Sequence, residues 1–344
     1  MTTEATDGNS AFHARARFPR IPHIVTSPLS GHSVTRDDLV LDDDLATAFP
    51  AMPSHAELAA AVSQAQKGPF AVVTNSVPTP SWVVTVEEKI DGANLAIYLD
   101  EDGGSFVCQN RGHVVHDQTA SQWSGLSKFL ETHADELRSL FYGIDDVLAA
   151  AASALSAQPP VPPATSSAPP LWSQWVLYGE WCAARHSLWY QALPSSFIAF
   201  DLYHSGSGTF LATNQRDAAI LQLCPNLAIV PRLGTLKLLP SAEVGGRRGG
   251  CAAPPAASTS WWDAVHALWY RKPSHYAVGD PKAAATSRDA VVKGVCEGAM
   301  LRVESPEWGI MLRRAKLVHD EFTTGIEAAG HWTSKSMVKN GILH

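Results

Sequence analysis

The segment Glu88-Lys89-Ile90-Asp91-Gly92-Ala93-Asn94 holds the group best suited to covalent chemistry. Lys89 follows an apolar, β-branched run from Trp82 to Val86, so it stands where a strand ends. A lysine amine becomes a nucleophile when partial desolvation or nearby cations lower its pKa. Gly92 lets the backbone turn tightly beside a ligand. Alone, Lys-x-Asp-Gly is a weak pattern, because a lysine before a turn is usually just solvated. Five further groups of residues add weight. Arg111 follows Gln109-Asn110, Glu180 closes the run Tyr178-Gly179-Glu180, and Phe200 adjoins Asp201 within Phe197–Tyr203. Glu297 precedes Arg302 by five positions, and Arg313-Arg314-Ala315-Lys316 forms a basic run. Lys89, Arg111, Arg302, Arg314 and Lys316 could together balance a phosphate-rich substrate. Of these types only lysine can lose its proton; arginine cannot.

The elements that must position these groups read as antiparallel β with inserted helices. Leu95, Ile97 and Leu99 alternate on one face, the period of a half-buried strand. Glu101-Asp102-Gly103-Gly104 is a turn, and Ser105–Asn110 is the returning partner. Trp123, Leu126, Leu130, Leu137, Leu140, Ile144 and Leu148 recur at helical spacing. Strands are expected at Trp175–Trp181, Phe197–Tyr203, Cys296–Glu304 and Ile310–Leu317, and a helix at Asn214–Cys224. Two Ala/Pro/Gly-rich stretches, 149–170 and 241–260, read as flexible inserts. Residues 1–18 read as a disordered tail, leaving one domain over 19–344.

Composition narrows the setting. Of 344 residues, 45% are hydrophobic, enough for a sizeable core. Lys plus Arg number 26 against 33 Asp plus Glu, a net charge of −7, which excludes a uniformly basic nucleic-acid binder but not a local basic groove. No apolar run approaches the roughly 18 residues of a membrane span. No signal-peptide core opens the chain; Arg15, Arg17 and Arg20 faintly suggest a transit peptide, opposed by Glu4 and Asp7. Five scattered cysteines without a CxxC motif imply a reduced, intracellular setting, cytoplasmic or nuclear.

Taken in order, these segments resemble the covalent nucleotidyltransferase superfamily of DNA ligases, RNA ligases and capping enzymes. The closest resemblance is to ATP-dependent RNA ligases of the double-strand-sealing branch. Within it, a compact and mostly bacterial group shares Phe18-Pro19-Arg20, Glu180 to Ser187, and Lys316 to Phe322. The resemblance spans about Phe18 to Leu343, apart from the two inserts. It implies an α+β nucleotidyltransferase fold of two antiparallel sheet layers with flanking helices and no OB-fold domain. It also implies a lysyl–AMP intermediate and the joining of 3′-hydroxyl to 5′-phosphate RNA ends in RNA repair. Lys89 matches the nucleophile. Asn94 matches a residue supporting the metal-bound water near the α-phosphate, and Arg111 the arginine that handles the phosphate or RNA end. Glu180 matches the acceptor for a ribose hydroxyl and Phe200 the aromatic that stacks on adenine. Glu297 matches the metal-holding carboxylate, with Mg²⁺ or Mn²⁺ expected. Arg302, Arg314 and Lys316 match basic groups around the phosphates. Neighbouring cations are expected to depress the Lys89 pKa. ATP, RNA ends or a nicked duplex are the expected partners, and monomeric action is expected. One departure is Arg314, where the family usually has lysine.

Other readings compete. A DNA ligase or capping-type enzyme would need a further OB domain. A catalytically silent RNA-end-binding protein would keep the fold without the adduct. Arg185 and His186 suit an RNA contact or a turn cap. His113 and His116 form HxxH without further ligands at zinc spacing. Trp172, Trp175, Trp181, Trp261 and Trp262 read as packing rather than base stacking. Glu87 and Glu88 read as solvated carboxylates, Asp91 as solvated or as a motif member with a structural or water-holding role, and Lys335 and Lys339 as a solvated face or an RNA path.

Overall fold

The computed structural model describes residues 17–24, 39–41, 46, 48–70, 81–155, 170–239, 256–277, 294–319, 322 and 337–343. Side chains alternate across a strand, so a strand with apolar residues at every second position buries one face and presents the other. That alternation organises β1 (Val83–Lys89), β2 (Ala93–Leu99), β3 (Phe106–Gln109), β4 (Trp175–Trp181) and β5 (Phe197–His204). It continues through β6 (Thr209–Leu211), β7 (Arg232–Lys237), β8 (Gly298–Ser305) and β9 (Ile310–Val318). Among the described residues five α-helices accompany them: α1 (His55–Ala65), α2 (Leu126–Thr132), α3 (Ala134–Leu155), α4 (Thr213–Leu223) and α5 (Ala256–Trp269).

The nine strands bond in the order β3-β2-β4-β5-β6-β9-β8-β1-β7, with every pairing antiparallel. The two expected antiparallel layers are thus halves of one continuous hydrogen-bonded sheet. Short β6 pairs with β5 on one side and β9 on the other, so the halves are hydrogen-bonded into one sheet. Each half has its own core. Leu95, Ile97, Trp175, Leu177 and Ala199 pack against Phe129, Leu140, Ile144 and Ile220 of α2, α3 and α4. Val84, Val86, Leu301 and Leu317 pack against Ala65 of α1 and Trp262, Val265 and Trp269 of α5.

The opposite faces of the two halves meet each other. Along the sheet, β5 and β8 are three strand spacings apart, about 14 Å in a flat sheet. Yet Arg302 of β8 bonds Asp201 of β5 directly. The sheet therefore curls on itself and forms a cleft between its halves. A bulge in β5 aims residues into that cleft. Tyr178 pairs with Asp201 and Gly179 with Ala199, which leaves Phe200 as the extra residue. The bulge places Phe200 and Asp201 on one face, where strict alternation would separate them.

Several expected boundaries shift. The single amphipathic helix is a 3₁₀ turn (Ser121–Trp123), α2 and α3, interrupted at His133. Helix α3 continues to Leu155, so residues 149–155 of the first expected insert are helical, as their alanine content favours. Likewise α5 begins at Ala256, inside the second expected insert. The remaining parts, 156–169 and 241–255, lie outside the described residues, as does 1–16 of the expected tail. Phe18 is no tail residue: it is 4% exposed and packs among Tyr178, Phe200 and Phe210. The tryptophans at 175, 181, 261 and 262 are buried, in keeping with packing. No described helix is long and apolar enough to cross a membrane.

The curl depends on buried ion pairs. Asp201→Ala would leave Arg302 and Arg314 without their shared carboxylate, and loss of a buried partner costs about 3–5 kcal/mol. Urea unfolding should show a decrease of that size. A loss under about 1 kcal/mol, the range of a surface pair, would contradict the assignment.

Candidate active site

Strand register builds the site. Lys89 ends β1 opposite Gly298, which brings it beside Glu297 at the start of β8. Its Nζ lies 2.5 Å from Glu297 Oε2. Asn94 of β2 stands opposite Glu180 of β4. Arg302 of β8 stands opposite Arg314 of β9, and Met300 opposite Lys316. All eight residues expected to bind a nucleotide, Lys89, Asn94, Arg111, Glu180, Phe200, Arg302, Arg314 and Lys316, line this one cleft. Glu297 touches it through Lys89. Arg185 and His186 lie on the loop after β4 and are not among its lining residues.

The charges around Lys89 reverse one expectation. Burial opposes its positive charge, but the carboxylates of Glu297, Glu180 and Asp91 outweigh that and hold the ammonium above the ordinary lysine value. Its close neighbours are acids and not the expected cations. Burial also pushes Glu180 up to about 8; Glu297 and Asp91 add to the rise, and Lys89 and Arg111 oppose it. Burial raises Glu297 as well, against the pull of Lys89. Both partners of the Lys89–Glu297 contact thus move upward. Direct contact between the opposite charges favours the ion pair.

Two of the expected phosphate contacts are engaged internally. Arg302 is 3% exposed; it bonds Asp201 Oδ1 and the Leu211 carbonyl, and lies 3.4 Å from Glu304. Arg314 Nη1 bonds the other oxygen of Asp201 at 2.9 Å. Its guanidinium carbon stands 4.4 Å from the Phe18 ring centroid and 4.0 Å from that of Phe210. A planar guanidinium can bond a carboxylate while stacking between rings, and an ammonium cannot do both as well. The departure from lysine at this position therefore has a local reason. Arg111, by contrast, is exposed and forms no ion pair among the described residues.

Sequence reasoning missed several supporting groups. Glu87, Glu88 and Asp91 are buried, not solvated. Glu87 accepts from Arg216 Nη2 at 2.6 Å, and Arg216 also donates to the Phe200 carbonyl at the bulge. Glu88 points to the other side of β1 and accepts from Ser274 Oγ at 2.5 Å and the His275 amide at 3.1 Å. Asp91 Oδ2 accepts the amides of Ser187 and Leu188, each at 2.6 Å. Two-residue spacing from Lys89 was the available signal for Glu87. Gly92 is required for space and not for a left-handed turn. A Cβ there would lie 2.7 Å from the Trp181 carbonyl oxygen and 2.9 Å from Glu180 Cγ, and its amide donates to Glu180 at 3.1 Å.

The donor set fits a hard divalent cation. Glu180 and Glu297 offer oxygen, and Asn94 Oδ1 is shielded from solvent with no hydrogen-bond partner among the described residues. No group of three His, Cys, Asp or Glu ligands occurs among the described residues, so phosphate or water oxygens would complete such a shell. His113 Nε2 lies 3.4 Å from Asn110 Nδ2, and His116 Nδ1 lies 3.1 Å from Thr119 Oγ1.

The raised Lys89 value has a measurable sign. Its amine stays charged to higher pH than a free lysine, about 10.4. Labelling of the ligand-free protein with an amine-selective acylating reagent, read by peptide mass spectrometry, should show a Lys89 midpoint above that value. A midpoint below it would contradict the carboxylate cage.

A solved structure titled as a Naegleria gruberi RNA ligase lysine-to-alanine mutant with ATP and Mn is 13% identical. The match covers 72% of this chain and 52% of that one, with a TM-score of 0.37. A lysine-to-methionine mutant of that ligase with AMP and Mn gives 13% identity, the same coverages and a TM-score of 0.39. The chain thus spans about half the length of these relatives. No curated protein matches it significantly. A family model described as RNA ligase matches residues 83–318, well over half of the chain, from the first residue of β1 to the last of β9. The chain belongs to the RNA ligase family.

Proposed function

We propose that the protein is an ATP-dependent RNA ligase that joins a 3′-hydroxyl to a 5′-phosphate through a lysyl–AMP intermediate. The observation that carries this reading is the placement of Lys89 Nζ 2.5 Å from Glu297, within a cleft that Asn94, Glu180 and Phe200 also line. The Lys89 amine attacks the α-phosphorus of ATP, the P–N bond forms, and pyrophosphate leaves. AMP then passes to the RNA 5′-phosphate. The 3′-hydroxyl attacks that phosphate and releases AMP. All three are in-line phosphoryl transfers, so the protein contributes positioning and charge balance.

Each residue has a part that its position supports. Lys89 must shed its proton before attack, and Glu297 Oε2 is in direct contact to accept it. Phe200, fixed at the bulge, offers its ring to adenine. Base–aromatic stacking gives about 1–3 kcal/mol and is tolerant of base identity. Glu180, positioned by the Gly92 amide, accepts a ribose hydroxyl. Lys316 faces the phosphates, and Arg111 at the exposed mouth meets the incoming phosphate end. Arg302 and Arg314 act by holding Asp201 and the cleft walls. Glu297, with Asn94 supporting bound water, would hold Mg²⁺ or Mn²⁺, which supplies positive charge beside the α-phosphate.

The test is incubation with α-phosphate-labelled ATP or GTP and Mg²⁺ or Mn²⁺, followed by a denaturing gel. A labelled band with ATP is expected, absent from folded Lys89→Ala, together with sealing of a nicked RNA duplex bearing 3′-hydroxyl and 5′-phosphate. A band with GTP alone would indicate a capping-type enzyme. Protein free of bound AMP that gives no band with either nucleotide would contradict the proposal and favour silent end binding.

A further inference from the structure

The loop between β4 and β5 is held rigidly although it contains no regular element. Its inner edge is fastened to the turn that follows Lys89. Asp91 accepts the Ser187 and Leu188 amides at 2.6 Å, and donates its own amide to the hydroxyl of fully buried Tyr190 at 2.8 Å. Its outer edge is fastened by residues 337–343. Asn340 Nδ2 donates to the carbonyls of Cys182 and Ala184, and Asn340 Oδ1 accepts the Tyr190 amide. The Arg185 amide donates to the Val338 carbonyl at 2.7 Å.

On this fixed loop one large side chain faces water. Trp189 is 46% exposed, whereas its neighbours Leu188 and Tyr190 are fully buried. The Arg185 guanidinium stands 5.9 Å from the Trp189 ring centroid. Lys339, exposed, lies across a β-bridge from Ala184. Neither cation forms an ion pair with a carboxylate among the described residues. Val338, whose carbonyl takes the Arg185 amide, is 47% exposed. An exposed indole with a guanidinium beside it, and an exposed lysine on the segment bridged to the same loop, complement a nucleobase and its adjoining phosphates.

We infer that Trp189, with Arg185 and Lys339, forms a stacking platform for a base of the RNA end; the inference rests on the RNA-ligase reading. The indole face receives the base, and the two cations meet the adjoining phosphates. Asp91 joins this platform to the nucleophile's turn, two residues from Lys89. RNA seated there is thus tied to the reacting centre through a short, hydrogen-bonded path. The rigidity of the loop matters, because a preordered aromatic loses little freedom on binding.

Formation of lysyl–AMP needs no RNA, so the two activities separate. Binding of a fluorescent nicked RNA duplex, read by anisotropy, is compared among wild type, Trp189→Ala and Trp189→Phe, with adduct formation measured in parallel. Trp189→Ala should weaken RNA binding about tenfold. It should leave lysyl–AMP formation unchanged, and Trp189→Phe should recover most of the affinity. Unchanged RNA affinity in Trp189→Ala would overturn the platform and leave the exposed indole to a protein partner. An equal loss of adduct formation would also overturn it, by making Trp189 structural. A wild type without any adduct sinks the ligase reading, whereas a tenfold loss of RNA binding in the variant still supports the platform.

Discussion

Asp201 bridges two buried arginines, and much of the molecule follows from that bridge. The register of β8 against β9 sets Arg302 beside Arg314, and two buried guanidinium groups side by side repel. A carboxylate between them resolves the conflict, and it comes from β5, three strands away. Bringing β5 to β8 curls the sheet, and the curl creates the cleft. Glu87 and Arg216 extend the same network, since Glu87 accepts from Arg216 while lying 3.7 Å from Arg302. Breaking any member leaves another charge buried and unpaired, which makes the arrangement specific as well as stable.

The network also determines what is left for chemistry. The cations that a sequence would assign to phosphates are partly engaged in holding the cleft walls together. Around Lys89 the balance is therefore acidic, with Glu297, Glu180 and Asp91 gathered about one ammonium. These carboxylates favour the protonated form of the Lys89 amine. The site also has a local need for positive charge, which a divalent cation or an approaching Arg111 would supply. The bulge at Phe200 serves both ends of this arrangement. It turns Asp201 toward the arginines and Phe200 toward the space beside Lys89, and Arg216 fixes its carbonyl.

Local patterns in the sequence revealed the groups of the cleft but not their supports. Lys89, Asn94, Glu180 and Glu297 lie at or beside strand ends, and it is the resemblance of their ordered motifs to a known family that singled them out. The bulge was not readable, because it is a matter of register between β4 and β5 and leaves no mark in either strand alone. Arg216 sits in a polar helix and reads as a surface charge until its partners from β1 and β5 are known. Glu87 and Glu88 adjoin in sequence but serve opposite faces of β1, one in the cleft and one toward Ser274. Helix α1 went unread, although Ser54 and Glu57 form a reciprocal capping box at its start and were a signal for it. Helix α5 was obscured because its first turn lies in an Ala/Pro-rich stretch, where composition suggests a linker and packing of Trp262, Val265 and Trp269 decides otherwise.

The most direct test of the account is to locate the nucleotide in the covalent adduct. After incubation with ATP and Mg²⁺, proteolysis and tandem mass spectrometry should find AMP on the Lys89 side chain, joined through a P–N bond that acid cleaves and base spares. AMP on any other residue, or an adduct with the lability of an acyl or ester bond, would contradict the central claim that this cleft was built around Lys89 as its nucleophile.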